Sequence, residues 1–137
     1  MVNLFKTEVL TPDMKLLEAQ AVSVFIPAQD GEVEVLAQHC DFIGVLGQGV
    51  LRVNVEGGSH EFAVSKGLFQ VLNGELNVLS DKISAPKDIT LELVNVKIDK
   101  VNQKLAEDGV AQEEVRFLKE ELQYALAQRK ILGAGSS

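Results

Sequence analysis

The sequence predicts an α+β chain: an antiparallel β-sandwich, or flattened barrel, of about nine to ten strands, followed by a two-helix antiparallel hairpin. Three observations carry this prediction. Up to about residue 85 the apolar residues recur in short runs broken by turn residues. From Asp88 onward they recur at spacings of 3 and 4. Asp108-Gly109 then divides this second part into two stripes.

The strand runs are Leu4–Leu10, Lys15–Glu18, Ala21–Pro27, Glu32–Leu36, Val50–Val55, Glu61–Val64, Leu68–Leu72 and Leu76–Leu79. Val33-Glu34-Val35 and Leu51-Arg52-Val53-Asn54-Val55 alternate strictly, which puts apolar side chains on one face and polar ones on the other. The turn residues agree with this reading. Asn73-Gly74 is a tight-hairpin signal because both residues tolerate positive φ. Glu56-Gly57-Gly58-Ser59 and Asp30-Gly31 mark further turns. No long helical pattern separates the strands, so a βαβ fold is excluded.

Leu91, Val94, Ile98, Val101 and Leu105 form an amphipathic stripe, with Asp88 as the expected N-cap after Pro86. A second stripe comprises Val115, Leu118, Leu122, Ala125 with Leu126, and Leu132. Glu113 and Glu114 near its start and Arg129 and Lys130 near its end suit the helix dipole. Helices are expected over about 88–106 and 111–132, with a frayed tail from Gly133. The organisation predicted is a β-domain over 1–86 and a helical hairpin over 87–137.

Composition narrows the function. The 137 residues carry 20 acids against 13 bases, a net charge of −7, which leaves no phosphate-neutralising surplus for nucleic acid. The lone cysteine, Cys40, excludes an intrachain disulfide and fits a reducing compartment, and with two histidines a structural zinc site is not expected. The start of the chain, Met-Val-Asn-Leu-Phe-Lys-Thr-Glu, lacks an apolar stretch of signal-sequence length. No window reaches the roughly 18 apolar residues of a membrane span. A soluble intracellular chain without direct membrane insertion is therefore expected.

No catalytic constellation emerges. His39 and Cys40 are consecutive in an extended segment and should point to opposite faces, which does not make a nucleophile pair. Glu32 and Glu34 share a strand face with Asp30 nearby. A glycosidase pair would instead face across a cleft lined by aromatics, and the chain has no Trp and one Tyr. The acids read as a solvated edge or as a docking surface. Gly44, Gly47 and Gly49 do not open a helix after a strand, so neither a dinucleotide fingerprint nor a phosphate loop is present.

Several strings, in order, resemble the epsilon subunit family of bacterial F-type ATP synthases over nearly the whole chain. They are Val9-Leu10-Thr11-Pro12, Val22-Ser23-Val24-Phe25-Ile26-Pro27, Asp30-Gly31-Glu32-Val33-Glu34-Val35-Leu36-Ala37-Gln38-His39, and Gly49-Val50-Leu51-Arg52-Val53. Ser65-Lys66-Gly67-Leu68-Phe69-Gln70-Val71 and Asn73-Gly74-Glu75-Leu76-Asn77-Val78-Leu79-Ser80-Asp81 follow. The family's usual Pro-Gly before the histidine is Ala37-Gln38 here, its Ala-Pro after it is Cys40-Asp41, and its Gly-Gly is Lys66-Gly67. An ATP-binding motif of some members, Ile/Leu-Asp-x-x-Arg-Ala, falls on Ile89-Thr90-Leu91-Glu92-Leu93-Val94, without the Asp or the Arg. Weak or absent ATP binding is expected, and no other cofactor.

The resemblance implies a non-catalytic rotor subunit of the central stalk of a proton-translocating synthase. Its partners would be the gamma subunit, the c-ring and the alpha and beta catalytic subunits. It would sit peripherally at the cytoplasmic face of the bacterial inner membrane. Asp30, Gly31, Glu32, Glu34 and His39 would face the c-ring, whose loops are commonly basic. The hairpin would inhibit ATP hydrolysis when extended, with Arg116, Lys119, Arg129 and Lys130 meeting the catalytic subunits, unless these bases simply pair with Glu113, Glu120 and Glu121. The competing reading is an intracellular β-sandwich interaction module with a helical dimerisation hairpin.

Overall fold

The computed structural model describes residues 3–134; the rest of the expected tail, 135–137, lies outside the described residues. Nine strands form one continuous sheet. They are β1 Phe5–Leu10, β2 Lys15–Ala28, β3 Gly31–Leu36, β4 Phe42–Leu46, β5 Gly49–Val55, β6 Gly58–Val64, β7 Gly67–Leu72, β8 Glu75–Ser80 and β9 Ile83–Ser84. A 3-10 turn over Pro86–Asp88 leads to α1 Leu91–Leu105 and α2 Gln112–Ala134.

The 14-residue β2 folds the sheet onto itself. Its first half pairs with β1, and its second half pairs with β3 and β5 and bridges β4 at Ala28–Leu46. Since β1, β8, β7 and β4 are also paired in that order, the path closes on β2 as a flattened barrel. The sequence divides this strand in two because Ala19 and Gln20 carry little strand propensity, but pairing on both sides overrides that. All pairings are antiparallel except β1 with β8, which run parallel. β4 and β9 lie outside the expected runs. Gly44 inside β4 and Gly47 after it conceal the first, and the second is only two residues long.

The core lies between the two layers. β1, β7 and β8 contribute Val9, Phe69, Val71, Leu76 and Val78, while β2, β3, β5 and β6 contribute Val24, Ile26, Val35, Leu51, Val53, Phe62 and Val64. The alternation in β3 and β5 places Val35, Leu51 and Val53 inside and Glu34 and Arg52 outside, as the sequence requires. Each large side chain buried this way stabilises the sandwich by about 1.5–3 kcal/mol. Asn73 and Gly74 adopt φ of 53° and 77°, the geometry of the expected tight hairpin. Gly67 starts β7 where any Cβ would overlap the carbonyl oxygen of Leu79, whereas the neighbouring Lys66 is exposed. The single glycine kept at this step is the one that the backbone contact demands.

Asp88 does not cap α1. Its Oδ2 accepts the Ala85 N–H at 3.3 Å and closes the 3-10 turn instead. Pro86 sets the φ that begins this turn, and Ile89 then extends (φ −114°, ψ 134°), so the helix restarts after Thr90. Ile89 packs into both apolar clusters of the hairpin. In α1 the stripe buries Val94, Ile98 and Val101, but Leu91 stays 48% exposed at the frayed first turn. The second stripe is only half of what α2 buries. One face packs Leu122, Ala125 and Leu126 against Val94 and Ile98 of α1; the other packs Tyr124, Ala127 and Ile131 against Ala63 of β6. Gly133 and Ala134 continue the helix beyond the expected end.

Candidate functional site

β3 presents its carboxylates in register. Glu32 lies opposite Pro27 and Glu34 opposite Phe25, both exposed on the outer face. Asp30 and Gly31 form the preceding turn, where φ of 130° at Gly31 favours glycine. His39 stands apart from the Asp30-Gly31 turn. Its N–H donates to the Leu36 carbonyl at 3.2 Å, so it follows the other end of β3, about 17 Å of strand from that turn, and Glu34 is the nearest of the acids along the strand. Its ring leans on Phe42 with centroids 5.6 Å apart, and its Nδ1 lies 2.9 Å from the Cys40 carbonyl oxygen rather than the thiol. Gln38 before it holds φ of 68°, occupying a left-handed position without being glycine.

A second surface was not legible in the sequence. On the outer face of the β1, β8, β7 and β4 layer, Val45 pairs with Leu68, Leu68 with Leu79, and Leu79 with Leu10. Val45, Leu68 and Leu79 are 46%, 51% and 43% exposed, and Ile43, two residues from Val45 on the same face, is 65% exposed. An apolar row of this kind on a solvent-facing sheet marks an interaction surface. Apolar residues on both faces of β7 and β8 were the available signal, since Leu68 and Leu79 flank the core residues Phe69 and Val78.

The hairpin covers the opposite outer face, over β5, β6 and β9. Around the Ala63, Ala127 and Ile131 contact, Tyr124 Oη lies 2.6 Å from Ser84 Oγ, and Gln128 Nε2 donates to the same oxygen at 3.0 Å. Burial pushes the Tyr124 hydroxyl above its ordinary pKa; the Ser84 hydrogen bond opposes the shift and the Asp88 charge adds to it. The polar tip of the only tyrosine, set beside Ala127 and Ile131 on a small aliphatic face of the helix, was the signal for this contact.

The hairpin cations are dispersed. Arg116 and Lys119 flank a groove at the start of α2, and Arg129 Nη1 reaches Asn95 Oδ1 at a long 3.5 Å. Lys130 faces a groove shared with Glu32, Arg52 and Glu61, so one residue of each expected set meets at the same place. Glu121 pairs with Lys97 of α1 at 3.9 Å, and among the described residues Arg116, Lys119 and Lys130 make no ion pair. The cleft between hairpin and sandwich interleaves Lys66, Lys82 and Lys97 with Asp81, Glu120 and Glu121, which cancels any field for an anion.

Comparison with known proteins accords with this architecture. The family model described as ATP synthase, Delta/Epsilon chain, beta-sandwich domain matches residues 4–86. The chain is 30% identical to an ATP synthase epsilon chain of Nitratidesulfovibrio vulgaris, over 92% of this chain and 93% of the relative. It is 28% identical to the sodium ion specific ATP synthase epsilon chain of Propionigenium modestum, over 93% and 85% of the respective chains. In fold it is similar to a chain of the Euglena gracilis mitochondrial ATP synthase OSCP/F1/c-ring structure, with a TM-score of 0.78 at 22% identity, covering 100% of this chain and 84% of that one. By the match of its sheet and the near full-length similarity to these relatives, the chain belongs to the ATP synthase delta/epsilon chain family.

Proposed function

We propose that this protein is a non-catalytic epsilon subunit in the central stalk of an F-type ATP synthase, peripheral at the cytoplasmic face of a bacterial inner membrane. The observation that carries this reading is a stiff closed sheet with two distinct docking features. One is the acidic turn Asp30-Gly31-Glu32 with Glu34 behind it; the other is the uncovered row of Val45, Leu68 and Leu79. Basic loops of a c-ring suit the acids, and an apolar face of the gamma subunit suits the row. A close-packed sandwich transmits torque between such footholds without yielding.

Residues 87–137 act in this reading as a separable regulatory arm that restrains ATP hydrolysis by reaching the alpha and beta subunits. Its docking rests on a small patch around Ala63, Tyr124, Ala127 and Ile131, a contact weak enough for partners to shift. Arg116 and Lys119, exposed and without ion pairs among the described residues, are the bases best placed to meet acidic segments once the arm extends. Nucleotide is not part of this switch: Thr90 and Leu93 replace the acid and the guanidinium, and Leu93 is 69% exposed with nothing to neutralise a phosphate. Two experiments test the reading. The tagged chain should retain gamma and the c-ring on purification from membranes, and removing residues 110–137 should raise ATP hydrolysis by the assembled enzyme. Failure to retain gamma would refute the stalk role, and an unchanged hydrolysis rate would refute the inhibitory one.

A further inference from the structure

The junction between the sheet and the hairpin is held by two separate sets of serine contacts. At its base, the fully buried Ser80 hydroxyl accepts the Ser65 N–H at 3.1 Å and lies 2.8 Å from the Lys82 carbonyl oxygen. Ser65 Oγ in turn accepts the Lys82 N–H at 3.1 Å, and the Ser65 N–H also reaches the Lys82 carbonyl oxygen at 3.1 Å. All these partners belong to the sandwich or to Lys82, so the chain is pinned as far as Lys82 without any help from the helices.

Two residues later the partners change. Ser84 forms half of β9, which pairs with β6 at Ala63–Ser84 and Val64–Ile83. Its hydroxyl is held by Tyr124 at 2.6 Å and Gln128 at 3.0 Å, both from α2. These two lie four residues apart, so they project from one helical face and converge on a single oxygen. Ala63, the β6 partner of Ser84, is fully buried in a cluster with Tyr124, Ala127 and Ile131, flanked by Val50 and Ile89. Removing α2 would return the Ser84 hydroxyl to water, whereas Ile83 and Ala85 on either side of it stay packed against the sandwich core.

We propose that Ser84, Tyr124 and Gln128 form the latch of the docked hairpin, with Ser84 as its fixed post on the sheet, so that the hinge lies in the 3-10 turn between Ala85 and Ile89. This rests on the reading of the hairpin as a movable arm. It assigns the switch to a polar contact internal to the chain rather than to a ligand. The boundary between fixed and moving parts then lies at the 3-10 turn before α1, between Ala85 on the sandwich core and Ile89 in the hairpin clusters.

Native-state hydrogen exchange on the isolated full-length chain tests this without any other subunit. In the parent, the amides of α2 should share one opening constant that the Ser84 amide does not follow. The Ser65, Lys82 and Leu51 amides should open far more rarely. Tyr124→Phe, which deletes one hydroxyl and keeps the ring, should raise the shared constant roughly fivefold and leave Leu51 unchanged. Ser84→Ala, which removes the common acceptor without touching the helix, should move it in the same direction. The latch is refuted if both variants exchange in α2 at parent rates. The hinge position is refuted if the Ser84 amide opens together with α2. If α2 opens only together with Leu51, the arm itself does not move, and both the latch and the reading beneath it fall.

Discussion

Gly44 in β4 faces the ring of Phe69 in β7 so closely that a Cβ at residue 44 would overlap the ring atoms Cζ and Cε1. Phe69, 1% exposed, also meets Phe42 edge-on at a centroid separation of 5.3 Å, so the ring is held on both sides and has little room to yield. Gly44→Ala should therefore destabilise the protein by about 1–3 kcal/mol, as overpacking of a filled core does. Urea unfolding reads this as a lowered midpoint with unchanged slope; an unshifted midpoint would show that Phe69 moves freely.

Gln38 makes the opposite prediction. Its φ of 68° is a left-handed conformation that costs an ordinary L-residue about 1–2 kcal/mol, while glycine adopts it freely. Gln38 is exposed, so replacing it loses little packing. After the extra chain entropy of glycine in the unfolded state, Gln38→Gly should stabilise by about 0.5–1 kcal/mol. Calorimetry that shows a lowered melting temperature would mean that the side chain contributes more than its exposure suggests.

The contrast between these residues explains what the sequence reveals. Short-range signals survive well: the alternation of Leu51 to Val55, the Asn73-Gly74 turn and the spacing of Val94, Ile98 and Val101 each depend on neighbours along the chain. Gly44 conceals a strand because its reason for being glycine lies in Phe69, which is 25 positions away in sequence and adjacent only through β4–β7 pairing. The row of Val45, Leu68, Leu79 and Leu10 is likewise assembled by cross-strand register, which no single run encodes. Ser84, Tyr124 and Gln128 meet across 40 residues or more. Glu32 and Glu34 were legible as a pair because alternate positions of one strand share a face, but the separation of His39 from the Asp30-Gly31 turn follows from where β3 ends.

The outer edge of β1 and β2 gives a pH prediction. Lys15 pairs with Glu18 at 2.6 Å and with Glu8 at 2.9 Å, and Lys6 reaches Glu8 at 3.5 Å. The hydrogen bond from Lys15, followed by its charge, lowers the pKa of Glu18 from 4.5; for Glu8 the hydrogen bond from Lys15 is likewise the leading cause of lowering. The hydrogen bonds from Glu18 and then Glu8 raise that of Lys15 above 10.5. A lowered carboxylate pKa stabilises the fold above its unfolded value and ceases to do so as pH falls through the folded one; the raised lysine does the same on the alkaline side. The melting-temperature gap between the parent and Lys15→Met should thus be flat between about pH 5 and pH 10 and close toward pH 2. It should also shrink in molar salt, because these groups face solvent. A gap that is unchanged at pH 2 would assign the effect of Lys15 to its methylene packing.

Leu68 sits at the centre of the apolar row, between Val45 on one side and Leu79 on the other, and is 51% exposed. With solvent already on its outer side, Leu68→Glu should change the stability of the isolated chain by no more than about 0.5 kcal/mol. If the row is the seat of the gamma subunit, the same change buries an unpaired carboxylate against an apolar partner and should weaken retention of gamma at least tenfold. Glu32→Gln, in a groove that reaches Ile43 and Val45 but not Leu68, should leave gamma retention intact and instead weaken attachment to the c-ring, more visibly at higher ionic strength. The two substitutions thus separate the two footholds in one pull-down series. If Leu68→Glu retained gamma as firmly as the parent, the shaft would have to be held elsewhere on the sandwich.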